Sequence, residues 1–146
     1  MATVLLVDDE FEHLWALQIA MEAAGHRVLT AENGERALLA ATRHLPDLIV
    51  TDWEMPVMDG LELCSRLTCY PSFAHIGIAM LSAQMKPAVL PPGCHAFFQK
   101  PVNTTELLRV TSSFLTRRLS AISASRPVDV AISRPHWPAL AAKWWA

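Results

Sequence analysis

Val4-Leu5-Leu6-Val7-Asp8-Asp9 is the stretch on which the fold turns. An unbroken apolar run, rich in branched side chains and closed by two carboxylates, reads as a short strand buried on both faces, as parallel strands are. Similar runs recur at Arg27 to Ala31, Leu48 to Thr51, Ile76 to Leu81 and Ala96 to Gln99. The segments between them carry helical spacing. Leu14, Leu17, Met21 and Ala24 form one stripe that stops before Gly25, a glycine placed to close a helix. Glu35 to His44 reads as a second helix ended by Pro46, and Asp59 to Leu67 as a third. Asn103-Thr104-Thr105-Glu106 resembles a capping box opening a last helix through Leu119 or a little beyond, with Leu108, Leu115, Leu119 and Ile122 as its apolar stripe. Strand and helix thus alternate along an α/β, doubly wound, five-stranded parallel sheet with helices on both faces. Ligands on such sheets sit beyond the carboxyl ends of the strands.

Two stretches break the pattern. Ala83 to Gly93 should hold the fourth helix, but Pro87, Pro91 and Pro92 each remove an amide donor, so at most a short or irregular helix fits. From Ser120 the composition shifts to serine, proline and small residues, with Trp137, Trp144 and Trp145 near the end. The expected organisation is a domain over 1–120 and a C-terminal extension over 121–146. Pro127, Pro135 and Pro138 favour an extended arm, and the exposed tryptophan area favours its docking, so a homodimer is expected.

Composition excludes several classes. At 146 residues the chain has room for one domain, and 52% hydrophobic against 18% charged residues is too apolar for disorder. Twelve Lys and Arg against fourteen Asp and Glu leave a net charge of −2, with no cationic excess for nucleic acid. Apolar stretches such as Leu38 to Ala41 fall far short of the roughly 20 residues that span a bilayer. The start, running straight into acidic residues, is unlike a secretory signal, which points to the cytoplasm. Cys64, Cys69 and Cys94 form no C-x-x-C pair and read as buried or idle thiols.

Chemistry gathers at the strand ends. Asp8 and Asp9 follow the first strand and Asp52 the third, so adjacent strands would bring three carboxylates to one pocket, with Ser82 and Lys100 following two others. Like charges in a partly desolvated cleft call for a hard divalent cation, and Mg²⁺, bound through carboxylates, phosphate and waters, is the expected ion. The plainer alternative makes Asp8 and Asp9 caps of the first helix and Asp52 the start of a turn.

Val7-Asp8-Asp9-Glu10, Thr51-Asp52-Trp53-Glu54-Met55-Pro56-Val57-Met58-Asp59-Gly60, Leu81-Ser82-Ala83, and Lys100-Pro101 after Phe97-Phe98-Gln99 together resemble the receiver domain of two-component response regulators, the CheY-like family. The resemblance spans residues 3 to about 119. It implies a flavodoxin-like sheet of order 2-1-3-4-5 and Mg²⁺-dependent phosphorylation of an aspartate by a sensor histidine kinase. On this resemblance Asp52 is the phosphoacceptor, and Asp9 and the backbone carbonyl of Glu54 join it on the metal. Asp8 acts there largely through a water, Ser82 and Lys100 contact the phosphoryl group, and Phe97 is the switch aromatic.

Departures from the family also show. The interval from Ser82 to Lys100 is short, which alters the usual output face. Glu54 places a fourth carboxylate near the pocket, where it is expected to be solvated. The extension is too short for a DNA-binding effector domain, so signalling by protein contacts is expected, with no turnover enzyme activity. A pseudo-receiver acting as a dimerisation or docking scaffold is the alternative. An Mg²⁺-dependent phosphohydrolase is disfavoured because Glu54 stands where such enzymes place a second aspartate.

Overall fold

The computed structural model describes residues 2–133. Five strands, β1 (Thr3–Val7), β2 (Arg27–Ala31), β3 (Leu48–Asp52), β4 (Gly77–Ser82) and β5 (Ala96–Gln99), form one parallel sheet in the order β2-β1-β3-β4-β5. The central strands are buried throughout β3 and β4, as a sheet covered on both faces requires. Leu5, Ile49 and Met80 on the sheet meet Ala37, Leu63 and Leu67 from the helices in one apolar core.

The crossovers are helices α1 (Phe11–Ala23), α2 (Gly34–His44) and α3 (Gly60–Thr68). Gly25, at φ +92°, closes α1: its N–H reaches the Glu22 carbonyl and the His26 N–H reaches Met21, so two orphan carbonyls are satisfied where only glycine turns freely. Asn33 and Asp59 cap α2 and α3 by accepting the N–H groups of Arg36 and Glu62. The last helix, α4, runs Thr104–Ser133. The chain divides into two compact units between Ser112 and Ser113.

Residues 83–95, between β4 and β5, contain no helix, in keeping with the three prolines there. Other expectations need correction. The last helix does not end near Leu119 but continues through Pro127 to Ser133. The segment before that proline carries Ala121 and Ala124 and no glycine, so losing one amide donor does not end the helix. The expected arm is therefore helical as far as Ser133, while Pro135, Trp137, Pro138, Leu140, Trp144 and Trp145 lie outside the described residues. The capping box is half formed: Asn103 accepts the Glu106 N–H, but the Glu106 carboxylate pairs in bidentate fashion with Arg109, a stronger charge-assisted partner than a backbone amide. In α4 Leu107, Thr111 and Leu115 are buried, so of the expected stripe Leu115 is buried while Leu108 is half-buried, with Leu107 taking the inward position beside it. Cys64 is buried, and its thiol, pushed up to about 11 by burial and by the nearby Cys94, donates to the Pro92 carbonyl. That is an unreactive thiol.

Candidate phosphoacceptor site

The register of β1 on β3 aligns Val7 with Thr51, so the next residues, Asp8 and Asp52, emerge side by side at the carboxyl edge of the sheet. Backbone bonds continue the ladder into the site. Asp8 N–H reaches the Ala31 carbonyl, Trp53 N–H the Leu81 carbonyl, and Lys100 N–H the Ser82 carbonyl at 2.7 Å. Gly60 closes the β3–α3 loop by donating to the Trp53 carbonyl, and a side chain there would strike the backbone of Asp52 and Trp53. The carboxyl edge of the sheet therefore sets the positions of Asp8, Asp52, Ser82 and Lys100.

Carboxylate oxygens of Asp8, Asp9 and Asp52 all lie within 4.8 Å of one another. Lys100 Nζ sits 3.0 Å from Asp52 Oδ1 and 3.8 Å from Asp8 Oδ2. Asp8 and Asp9 are not caps of α1: the N-cap is Glu10, with no side-chain cap bond, and Asp8 Oδ1 instead accepts the Glu10 N–H at 2.9 Å. Asp8 Oδ2 is buried and accepts no hydrogen bond, a position that costs free energy unless a cation fills it. Three oxygen donors facing one lysine are thus a fit for a hard divalent ion.

Electrostatics follow from this crowding. Burial raises the Asp52 carboxyl above its ordinary value; the Asp8 and Asp9 charges add to the rise, while the Lys100 hydrogen bond and charge oppose it. For Lys100, burial works against the ammonium, but the hydrogen bond and charge of Asp52, with Asp8 and Glu10, outweigh it and hold the pKa above its ordinary value. The lysine is therefore a fixed positive charge beside Asp52.

Ser82 is buried at the end of β4, where its hydroxyl accepts the Gln84 N–H at 3.0 Å and donates to Glu54 Oε1 at 3.3 Å. Glu54 is thus not simply solvated, contrary to expectation: although exposed, its carboxylate is the acceptor nearest to hand for a buried hydroxyl that must be satisfied. Phe97 is half-buried and meets the Trp53 ring edge-on, centroids 5.9 Å apart at 72°. His13 was missed. Its Nδ1 lies 3.4 Å from Asp8 Oδ2 and its Nε2 3.5 Å from Glu10 Oε2, and the signal was present, since residue 13 shares the first turn of α1 with the acidic run that precedes it.

Residues 4–112 match the family model of the response regulator receiver domain. The chain is 33% identical over 132 residues to the phosphate regulon transcriptional regulatory protein PhoB of Pseudomonas aeruginosa, covering 88% of this chain and 57% of that protein. It is 34% identical to the transcriptional regulatory protein PrrA of Mycobacterium tuberculosis, covering 87% and 56%. The chain therefore spans little more than half the length of these relatives. Among solved structures, chemotaxis response regulator CheY4 of Vibrio cholerae superposes with a TM-score of 0.72 at 30% identity, covering 78% of this chain and 98% of that one. Sheet order, acidic cluster and family match agree: the chain belongs to the response regulator receiver family, whose members are phosphoacceptors of two-component signalling that bind Mg²⁺ at an acidic site.

Proposed function

We propose that this chain receives a phosphoryl group on Asp52 from a sensor histidine kinase and passes the signal on by contact with other proteins. The observation that carries this reading is the Asp52 carboxylate, buried beside Asp8 and Asp9 and held 3.0 Å from the Lys100 ammonium. An Asp52 oxygen attacks the phosphorus of a phosphohistidine in line; the O–P bond forms as the N–P bond breaks, and the leaving imidazole takes up a proton. The protein's work is position and charge. Lys100 balances the negative charge that the phosphoryl oxygens bring, and the Ser82 hydroxyl donates to one of them once transfer is complete. Asp9, Asp52 and the Glu54 carbonyl, with Asp8 through a water, are the proposed ligands of Mg²⁺, which supplies charge neutralisation at the same oxygens. Phe97, lacking a hydroxyl, is held by packing alone, so its response to the new Ser82–phosphoryl bond is a change of rotamer against Trp53.

The donor must reach Asp52 over the rim of the site. Phe11, Trp15 and Ile19, at 77%, 59% and 49% exposure, line one face of α1 next to Asp9 and form the apolar surface on which we place the kinase. Incubation with Mg²⁺ and a small phosphoramidate donor tests the reading by intact mass. One added phosphoryl group is expected on the wild type and none on Asp52→Asn or with a chelator present. An undiminished adduct on Asp52→Asn would overturn it.

A further inference from the structure

The two residues after Asp52 each contact a residue on another strand: Trp53 packs on Phe97 of β5, and Glu54 accepts the hydroxyl hydrogen bond of Ser82 of β4. Ser82 has one proton to give. Its oxygen already accepts the Gln84 N–H, so the Glu54 bond uses the only donor capacity the side chain has. A phosphoryl group on Asp52 needs that same proton. The main chain leading into Glu54 is fixed, because its neighbour Trp53 donates to the Leu81 carbonyl at 2.8 Å and Gly60 donates to the Trp53 carbonyl at 2.8 Å. Backbone bonds thus anchor the main chain beside Glu54 near the end of β4, within reach of the 3.3 Å bond to Ser82.

We propose that Glu54 is a positioning residue that occupies the Ser82 hydroxyl in the resting state, as a placeholder for the phosphoryl oxygen. This rests on the reading of Asp52 as phosphoacceptor. Phosphorylation then exchanges one anionic acceptor for another: the Ser82–Glu54 bond breaks, a Ser82–phosphoryl bond forms, and Glu54, now beside a second negative group, turns out to solvent, where an exposed carboxylate is at no loss. The consequence is a lower occupancy of the activated state than the same site would have without Glu54, because each activation must first undo a bond.

The test uses beryllium trifluoride, which coordinates an aspartate oxygen with the shape and charge of a phosphoryl group, read by the fluorine NMR signal of the bound species in the presence of Mg²⁺. Wild type, Glu54→Ala, Glu54→Gln and Ser82→Ala are titrated, with the two Glu54 changes repeated on the Ser82→Ala background. Glu54→Ala is expected to tighten the adduct about fivefold, the worth of one ordinary hydrogen bond. Glu54→Gln keeps an acceptor without the charge and should fall between it and wild type. On the Ser82→Ala background the gain should shrink to under about twofold, since the two residues act as a pair. An equal gain with and without the Ser82 hydroxyl would assign the effect to charge repulsion and overturn the proposal, as would no gain at all. A wild type showing no bound fluoride would overturn the phosphoacceptor reading itself, a different result from a wild-type adduct indifferent to Glu54.

Discussion

Ionised Asp52 is carried at a cost. Burial, with the Asp8 and Asp9 charges behind it, holds its folded-state pKa above the ordinary value, so the stability it contributes is fully present below that ordinary value and is lost as pH rises through the raised one. At neutral pH without a divalent ion the charge is therefore a net burden. Asp52→Asn should raise the thermal midpoint at pH 7 in chelator, because the amide removes a charge that burial and two neighbouring carboxylates disfavour. A midpoint lowered by the substitution in differential scanning calorimetry would contradict this. Val57 presents a second local cost: a β-branched residue at φ +72°, 74% exposed. Glycine adopts that conformation freely, so Val57→Gly should stabilise by about 1 kcal/mol, read from the urea midpoint. Of these costs the sequence shows only the first, because clustered acids at strand ends are visible in a pattern and a dihedral angle is not.

Elements, too, carry pH dependence. His95 stands just before β5, and its Nδ1 accepts the Ile78 N–H at the start of β4 at 3.1 Å, so the ring must be neutral to make this bond between the edge strand's approach and its neighbour. Burial lowers its pKa, and His26 is lowered in the same way by burial and by the charge of the N-terminus. For both, the stabilising contribution is present above the ordinary value of 6.5 and is lost as pH falls below it toward the depressed folded values. Urea unfolding between pH 7 and pH 5 should show falling stability, and His95→Asn, whose oxygen can accept the same N–H, should flatten that fall. An unchanged slope in the variant would remove His95 from the effect. The end of α1 was legible because Gly25 marks it, and the starts of α2 and α3 fall within one residue of those expected, at caps Asn33 and Asp59, neither singled out as a cap from the sequence. The missing fourth helix was legible in its prolines. Pro127 misled because a single proline weighs about 3 kcal/mol against a whole run of intrahelical bonds, and the run won.

For the molecule as a whole, strand order is what turns a list of residues into a site. The alternation of apolar runs and helical spacing predicts a parallel sheet, and the register of β1 on β3 then places Asp8 beside Asp52 without further assumption. Long-range side-chain partnerships were not legible in the same way. Glu54 on Ser82 and Trp53 on Phe97 depend on how the loop after β3 lies across the ends of β4 and β5, and no periodicity in the chain encodes that meeting. The central claim, that the chain carries phosphate on the carboxylate of Asp52, is tested most directly at the atom concerned. Borohydride cleaves an acyl phosphate and leaves the aspartate as homoserine, so protein treated with Mg²⁺ and phosphoramidate, then reduced, digested and mapped by mass spectrometry, reveals the site. The account predicts homoserine at position 52 and at no other aspartate. Homoserine at Asp8, Asp9 or Asp59, or an unaltered position 52 in protein that has gained a phosphoryl group, would contradict it.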